Sequence, residues 1–432
     1  MPAVRCRTIL LTFVVLLLGA SLATAQEEVN LDFYFLGDEL INPFVEQVIA
    51  DFEAENPGVS INFQPYPNES YKTTIQVALA SDDRPDIFFN WSGEDTGRFL
   101  REGHLLDLTS YAEQYGWYDT INPSALDAFT FDGALYAAPY SLEAKYMYYN
   151  QNIFEEQGLE VPQTFDELLG ICRSLREAGI TPMAFGNQER WEGGHYLTIF
   201  NQKVVGEEQI AKDYSLAVPA DELFTDPGYA EAFQRLLDMQ DAGCFADAVN
   251  STTPDIALAQ FMAEQVAMYY QGTWIMGNLA AGGFEHYGMF RMPPMVDENA
   301  HGNQNYTLLA PIGLEVSATT EHPDVVAKFL DFFISQPSQQ RLVEATGRIP
   351  VRADAMVEGV GTEALRNVVN DLATTEGAVE WLDVVLENRI SEAYLNAIQE
   401  VLAGTLTPEE AMANIRATAL EVQAELAVAP EA

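Results

Sequence analysis

The chain has 432 residues, 48% of them hydrophobic, with 65 Asp or Glu against 21 Lys or Arg and a net charge of −44. That apolar fraction supplies sizeable cores and excludes a disordered chain, and the length allows two domains. A field so negative repels nucleic acid and anionic lipid surfaces, so neither is expected as a partner.

Taken in chain order, Arg5 and Arg7 precede an apolar run from Ile9 to Ala20, and Ala23-Thr24-Ala25 follows it. This is the layout of a secretory signal peptide over residues 1–25, too short in its apolar part to span a bilayer. Cys6 precedes the run, whereas a lipid-anchoring Cys would follow it, so a free exported protein, periplasmic or extracellular, is expected. From Val29 the stretch VNLDFYFL predicts a strand. Phe44, Val48, Ile49 and Phe52 then mark a helix that Asn56-Pro57-Gly58 stops. VSINFQPY reads as the next strand, Tyr71 to Ala80 as a helix, DIFFN as a short strand and Thr96 to Glu102 as a helix. Such alternation predicts an α/β architecture, with parallel sheet covered by helices.

Further on, Thr164-Phe165-Asp166-Glu167 and Thr407-Pro408-Glu409-Glu410 match the capping-box pattern at helix starts. The last part of the chain carries long helical patterns with little strand signal. No low-complexity linker separates two halves, so two domains would be tied by several short crossings. LYAAPYSLEAKYMYYN and HYGMFRMPPM are the candidate crossings.

Catalytic signals are thin. There is no GxSxG elbow, no phosphate-cradling Gly-rich loop ending in Lys-Ser or Lys-Thr, and no HExxH helix. The five histidines are scattered without metal-ligand spacing, so no catalytic residue, metal or cofactor is expected. Cys172 lies in an apolar helical stripe with Phe165, Leu168, Leu169 and Leu175, which leaves a buried thiol and a disulfide with Cys244 both open. The tryptophans carry more information. Asn90-Trp91-Ser92-Gly93-Glu94-Asp95, Trp191-Glu192-Gly193-Gly194 and Gln271-Gly272-Thr273-Trp274 read as loops at strand ends, where ligands bind in open α/β sheets. Indole beside carboxylate and amide suits a sugar, whose C–H face the ring covers while the polar groups bond its hydroxyls.

In this order the motifs resemble those of the family 1 extracellular solute-binding proteins, the capture subunits of ABC importers related to maltose-binding protein. The matching stretches are IADFEAENPGVSINF, LASDDRPDIFFNW, REGHLLDLTSY, FDGALYAAPYSLEAKYMYYNQNIFEEQGLEVPQTFDELL, AQFMAEQVAMYYQGTWIM (with Glu264 where the family usually has Gly), and HPDVVAKFLDFFISQPSQQRLVEATGRIPVRAD. The resemblance implies a two-lobed α/β clamp of the periplasmic-binding-protein type (type II), each lobe a mixed, mostly parallel sheet flanked by helices, with a helical C-terminus. Lobe one would take residues 26–139 with 293–345, and lobe two 140–292 with 346–432. The implied function is capture of a mono- or oligosaccharide in the cleft by a monomer that delivers it to ABC permease subunits. Carried over by position, the implied ligand contacts are Gly37, Asp38, Trp91, Asp95, Glu143, Trp191, Glu192, Trp274, Arg348 and Arg352, with Trp381 and Tyr394 on the late helices. Polyamine, iron or glycerol-phosphate capture on the same fold stands as an alternative, and a secreted glycoside hydrolase is the rival from another class.

Overall fold

The computed structural model describes residues 28–82 and 84–427, so the expected export signal at residues 1–25 lies outside the described part. Strand β1 (Val29–Leu36) buries Val29, Leu31, Phe33 and Phe35, the period-2 pattern of a strand covered most deeply on one face. Asp38 starts the helix Ile41–Glu55, its Oδ1 accepting the backbone N–H groups of Leu40 and Ile41, each at 2.8 Å. The helix lays Ile41, Phe44, Val45, Val48, Ile49 and Phe52 on the core. Pro57 cannot continue it, and Gly58, at φ 92°, turns the chain into β2 (Val59–Tyr66), parallel to β1. The short apolar β3 (Ile87–Trp91) is also parallel to β1.

The remaining strands of the sheet are β4 (Ala137–Asn150), β5 (Thr181–Ala184), β6 (Val266–Gly272), β7 (Tyr287–Phe290), β8 (Tyr306–Val316), β9 (Ile349–Pro350) and β10 (Gly377–Val379). Their order is β2-β1-β3-β8-β4-β6-β5, with β7 and β9 also on β4 and β10 on β8. The outer pairs β1–β2, β1–β3 and β5–β6 are parallel, whereas β4 and β8 in the middle run antiparallel to each other. β4 changes partner along its length. Ala137 to Ala144 pair with β8, and Lys145 to Tyr149 pair with β6.

Two hydrophobic cores flank this crossing. The first gathers Phe33, Phe35, Phe44, Phe89, Tyr140, Phe329 and Phe333, and the second Phe165, Tyr196, Phe200, Met239, Tyr270, Tyr394 and Val401. Trp91 and Trp274 are only partly buried and pack against both. The architecture is the expected two-lobed α/β clamp with mixed sheet. Its C-terminus is helical, ending in Asn388–Leu402 and Pro408–Leu426. At Thr407 the capping box is complete; at Thr164 the side chain accepts from Glu167 N, but the Glu167 carboxylate turns to Gln163 N instead. Among the described residues no helix is long and apolar enough to cross a membrane.

Two expectations are changed or settled here. Cys172, on helix Phe165–Glu177, is disulfide-bonded to Cys244 inside the second core. Trp191 to Gly194, read as a loop, form the first turn of helix Trp191–Val204. The two glycines serve close packing: a Cβ on Gly193 would lie 2.7 Å from Ile398 and one on Gly194 2.9 Å from Leu395, so helix Asn388–Leu402 can approach only because they lack one.

Candidate functional site

On a strand, alternate side chains share a face, and on β4 that places Ser141, Glu143 and Lys145 together, all buried. They organise two neighbouring polar groups. In the first, Glu143 is 3% exposed, and its Oε1 accepts from Arg348 Nη1 and from Ser141 Oγ at 3.1 Å, while Oε2 accepts from Thr273 Oγ1 at 3.1 Å. Arg348 also reaches Asp38 Oδ2 at 3.4 Å. This group ties the middle of β4 to the start of helix Ile41–Glu55 and to the turn after helix Gln336–Thr346.

The second group is a chamber of aromatic rings around Lys145. Its Nζ donates to Gln271 Oε1 and to His195 Nδ1, both at 2.9 Å. The same ammonium stands 5.0 Å from the Trp191 ring centroid, 5.3 Å from Trp274 and 5.4 Å from Tyr270. Trp274 is held there by Gly272, since a Cβ at that residue would fall 2.0 Å from the indole. Behind the lysine, Glu192 Oε1 accepts from Gln271 Nε2 at 2.7 Å and from Tyr269 Oη, and Oε2 accepts from Gly186 N at 2.7 Å. Burial draws Lys145 down to about 7, with Glu192 and Asp383 opposing that shift, and burial pushes Glu192 up to about 7, with the lysine opposing it.

His195 stacks on Trp381 at 4.4 Å and lies 6.2 Å from Trp274. Burial and the charge of Lys145 hold it well below the usual histidine range, so it is neutral. Because Nδ1 accepts from Lys145, the proton sits on Nε2, which faces Asp383 Oδ1 at 3.7 Å. That is too long for a hydrogen bond, and Asp383 Oδ1 has no hydrogen-bond partner. The facing side comes from β3 and the residues around it. Lys72 Nζ stands 5.9 Å from the Trp91 ring, the charges of Lys72 and Asp95 act on Asp383, and Ser92 donates to Glu380.

The sequence-derived candidates therefore fall into two sets, with Arg352 and Tyr394 outside both. Trp191, Glu192 and Trp274 surround Lys145, with Trp381 beside them and Trp91 and Asp95 on the facing wall. Asp38, Glu143 and Arg348 form the separate ionic group, and Asp95 also pairs with Arg98 at 2.9 Å. Arg352 joins neither set; it makes a two-pronged pair with Asp354 at 3.0 and 2.8 Å. Tyr394 is core, stacked on Phe233. Lys145, Gln271, His195 and Asp383 were missed. Two of them had a readable signal: Lys145 is two residues beyond Glu143 on one strand, and His195 is four beyond Trp191 on one helix face. Among the described residues no group of three or more His, Cys, Asp or Glu could hold a metal ion.

Residues 37–340 match the profile of the family described as bacterial extracellular solute-binding protein. A multiple sugar-binding protein of Streptococcus mutans is 23% identical over 83% of this chain and 82% of its own length. The diacetylchitobiose binding protein DasA of Streptomyces coelicolor is 24% identical over 81% of this chain and 80% of its own. Among solved structures, a protein from work on xylan utilization by the thermophilic bacterium Caldanaerobius polysaccharolyticus superposes with a TM-score of 0.83 at 25% identity, covering 90% of this chain and 99% of that one.

Proposed function

We propose, from the premise that this chain belongs to the bacterial extracellular solute-binding protein family, that it is an exported receptor that captures a carbohydrate between its lobes and presents the closed form to an ABC importer. The observation that carries this reading is the donor–acceptor pair formed by the neutral imidazole's His195 Nε2–H and the Asp383 carboxylate Oδ1, 3.7 Å apart and walled by Trp191, Trp274 and Trp381. One hydroxyl can accept from the imidazole and donate to the carboxylate, each at about 2.8 Å. Indoles on either side suit the apolar C–H face of a pyranose. Relatives named for binding sugars support the same class.

The lobes would be residues 26–139 with 293–345 and residues 140–292 with 346–432, hinged on β4 and β8. Ligand touching both walls would shift the open–closed equilibrium, and a permease would read the closed state. The Cys172–Cys244 disulfide fits an oxidising compartment outside the cytosol.

Thermal shift and calorimetry across neutral mono- and oligosaccharides test the reading. A hundredfold excess over Kd adds about 2.7 kcal/mol of stability, which is readily seen as a raised melting temperature. No response to any sugar overturns it, and release of shorter sugars during incubation replaces it with a glycoside hydrolase. With a binding sugar in hand, Trp274→Ala is expected to weaken affinity about tenfold, since a stacked ring contributes ~1 kcal/mol or more beyond its area. Asp383→Asn, which keeps shape and removes charge, should cost about 1.5–3 kcal/mol of binding with the melting temperature of the free protein nearly unchanged. Unaltered calorimetric affinity in both variants would place the ligand elsewhere.

A further inference from the structure

We propose that Lys145 sets the ligand class of this cleft: its ammonium fills an aromatic box built by its own chain and so closes the site to cationic solutes. Lys145 has this role on the reading of the cleft as a solute site, and it narrows that reading to uncharged, hydroxyl-bearing ligands. The sequence alone left polyamines open, because so acidic and aromatic a chain holds every element that an organic cation needs. The structure shows those elements already engaged.

Three rings, Trp191, Tyr270 and Trp274, surround the Lys145 Nζ within 5.0–5.4 Å, the arrangement by which proteins cage a free ammonium ligand. The lysine is 1% exposed. Two of its three donors are taken by Gln271 and His195. Of the two carboxylates whose charge acts on it, Glu192 already accepts from Gly186, Tyr269 and Gln271. On the second, Asp383, Oδ1 is buried without a partner, and a second ammonium brought to it would enter a buried space separated from the first by the His195 imidazole alone. Like charges in low dielectric repel strongly, so the cost falls on the cation and not on a neutral hydroxyl. The net charge of −44 draws cations toward the molecule from a distance; the lysine refuses them at contact.

The test compares wild type with Lys145→Ala at mildly acidic pH, using n-propylammonium chloride, which replaces the lost end of the side chain, with sodium chloride as the ionic-strength control and spermidine as the natural-type cation. Wild type is expected to bind neither cation, and the Ala variant to bind propylammonium at least about tenfold better than wild type by calorimetry and thermal shift. Spermidine or propylammonium binding to wild type overturns the proposal, as does a folded Ala variant that gains nothing. Should the Ala variant not fold unaided, its refolding yield with and without propylammonium decides the matter: rescue supports the box and no rescue overturns it. The neutral sugars are scored apart. Their failure to bind would overturn the carbohydrate reading and leave the Lys145 assignment standing, whereas spermidine binding overturns the assignment whichever sugars bind.

Discussion

Replacing Arg348 by Met is expected to lower stability by about 3–5 kcal/mol, the range for stripping one partner from a buried ion pair. Glu143 is 3% exposed and Arg348 7%, so water cannot take over the lost contacts. The variant leaves a carboxylate with only the hydroxyls of Ser141 and Thr273. Desolvation of the uncompensated charge, not the loss of one attraction, sets the size of the effect. Adding Glu143→Leu to Arg348→Met should therefore restore much of the loss, because it removes the stranded charge. Urea denaturation of both single variants and the double completes the cycle. An Arg348→Met protein within 1 kcal/mol of wild type would show the pair to be solvated and not a buried tie between β4 and the turn after helix Gln336–Thr346.

The second large effect concerns the disulfide. Cys172 and Cys244 close a loop with a sequence separation of 72, and chain-entropy reasoning gives about 4 kcal/mol of stabilisation for such a loop. Both sulfurs lie in the second core, so Cys172→Ala with Cys244→Ala should loosen that core first. Limited proteolysis is expected to cut between residues 172 and 244 in the double variant, while the first core keeps its resistance. Reduction of the wild-type protein under partly denaturing conditions should mimic the variant. Identical denaturation midpoints for oxidised wild type and the double variant would show that the crosslink restrains little in the unfolded chain.

How far the fold can be read from the chain depends on whether its causes are local. VNLDFYFL and VSINFQPY end where the alternation ends, and the helix between them stops at Asn56-Pro57-Gly58, because backbone chemistry within a few residues decides each boundary. Gly193-Gly194 misled because the usual meaning of such a pair is a break. Its reason here is a helix two hundred residues away. The Cys172–Cys244 pairing was open for the same cause: proximity is a property of the folded chain. Position along a motif pointed to Glu143 and Trp274 but not to their company. Glu143 is engaged by Arg348 and Thr273, 205 and 130 residues distant, and Asp383 had no local pattern to mark it. Lys145 stood in plain view inside an apolar strand. A charge in such a place needs a reason, and the rings that supply it come from other elements.

The exchange of partners along β4 has a consequence for how this molecule can be divided. Residues up to Ala144 complete one ladder and residues from Lys145 complete another, while Tyr146 and Tyr148 reach back into the first core and Met147, between them, enters the second. A slip of one residue would turn Glu143 and Lys145 into the apolar layer and carry Tyr146 away from it. Neither half can be excised with its own complete sheet, because the cut would have to run lengthwise through a single strand. A chimaera assembled from two relatives must inherit this strand from one parent, uninterrupted. To a genetic engineer the protein is one indivisible part, however plainly it looks like two.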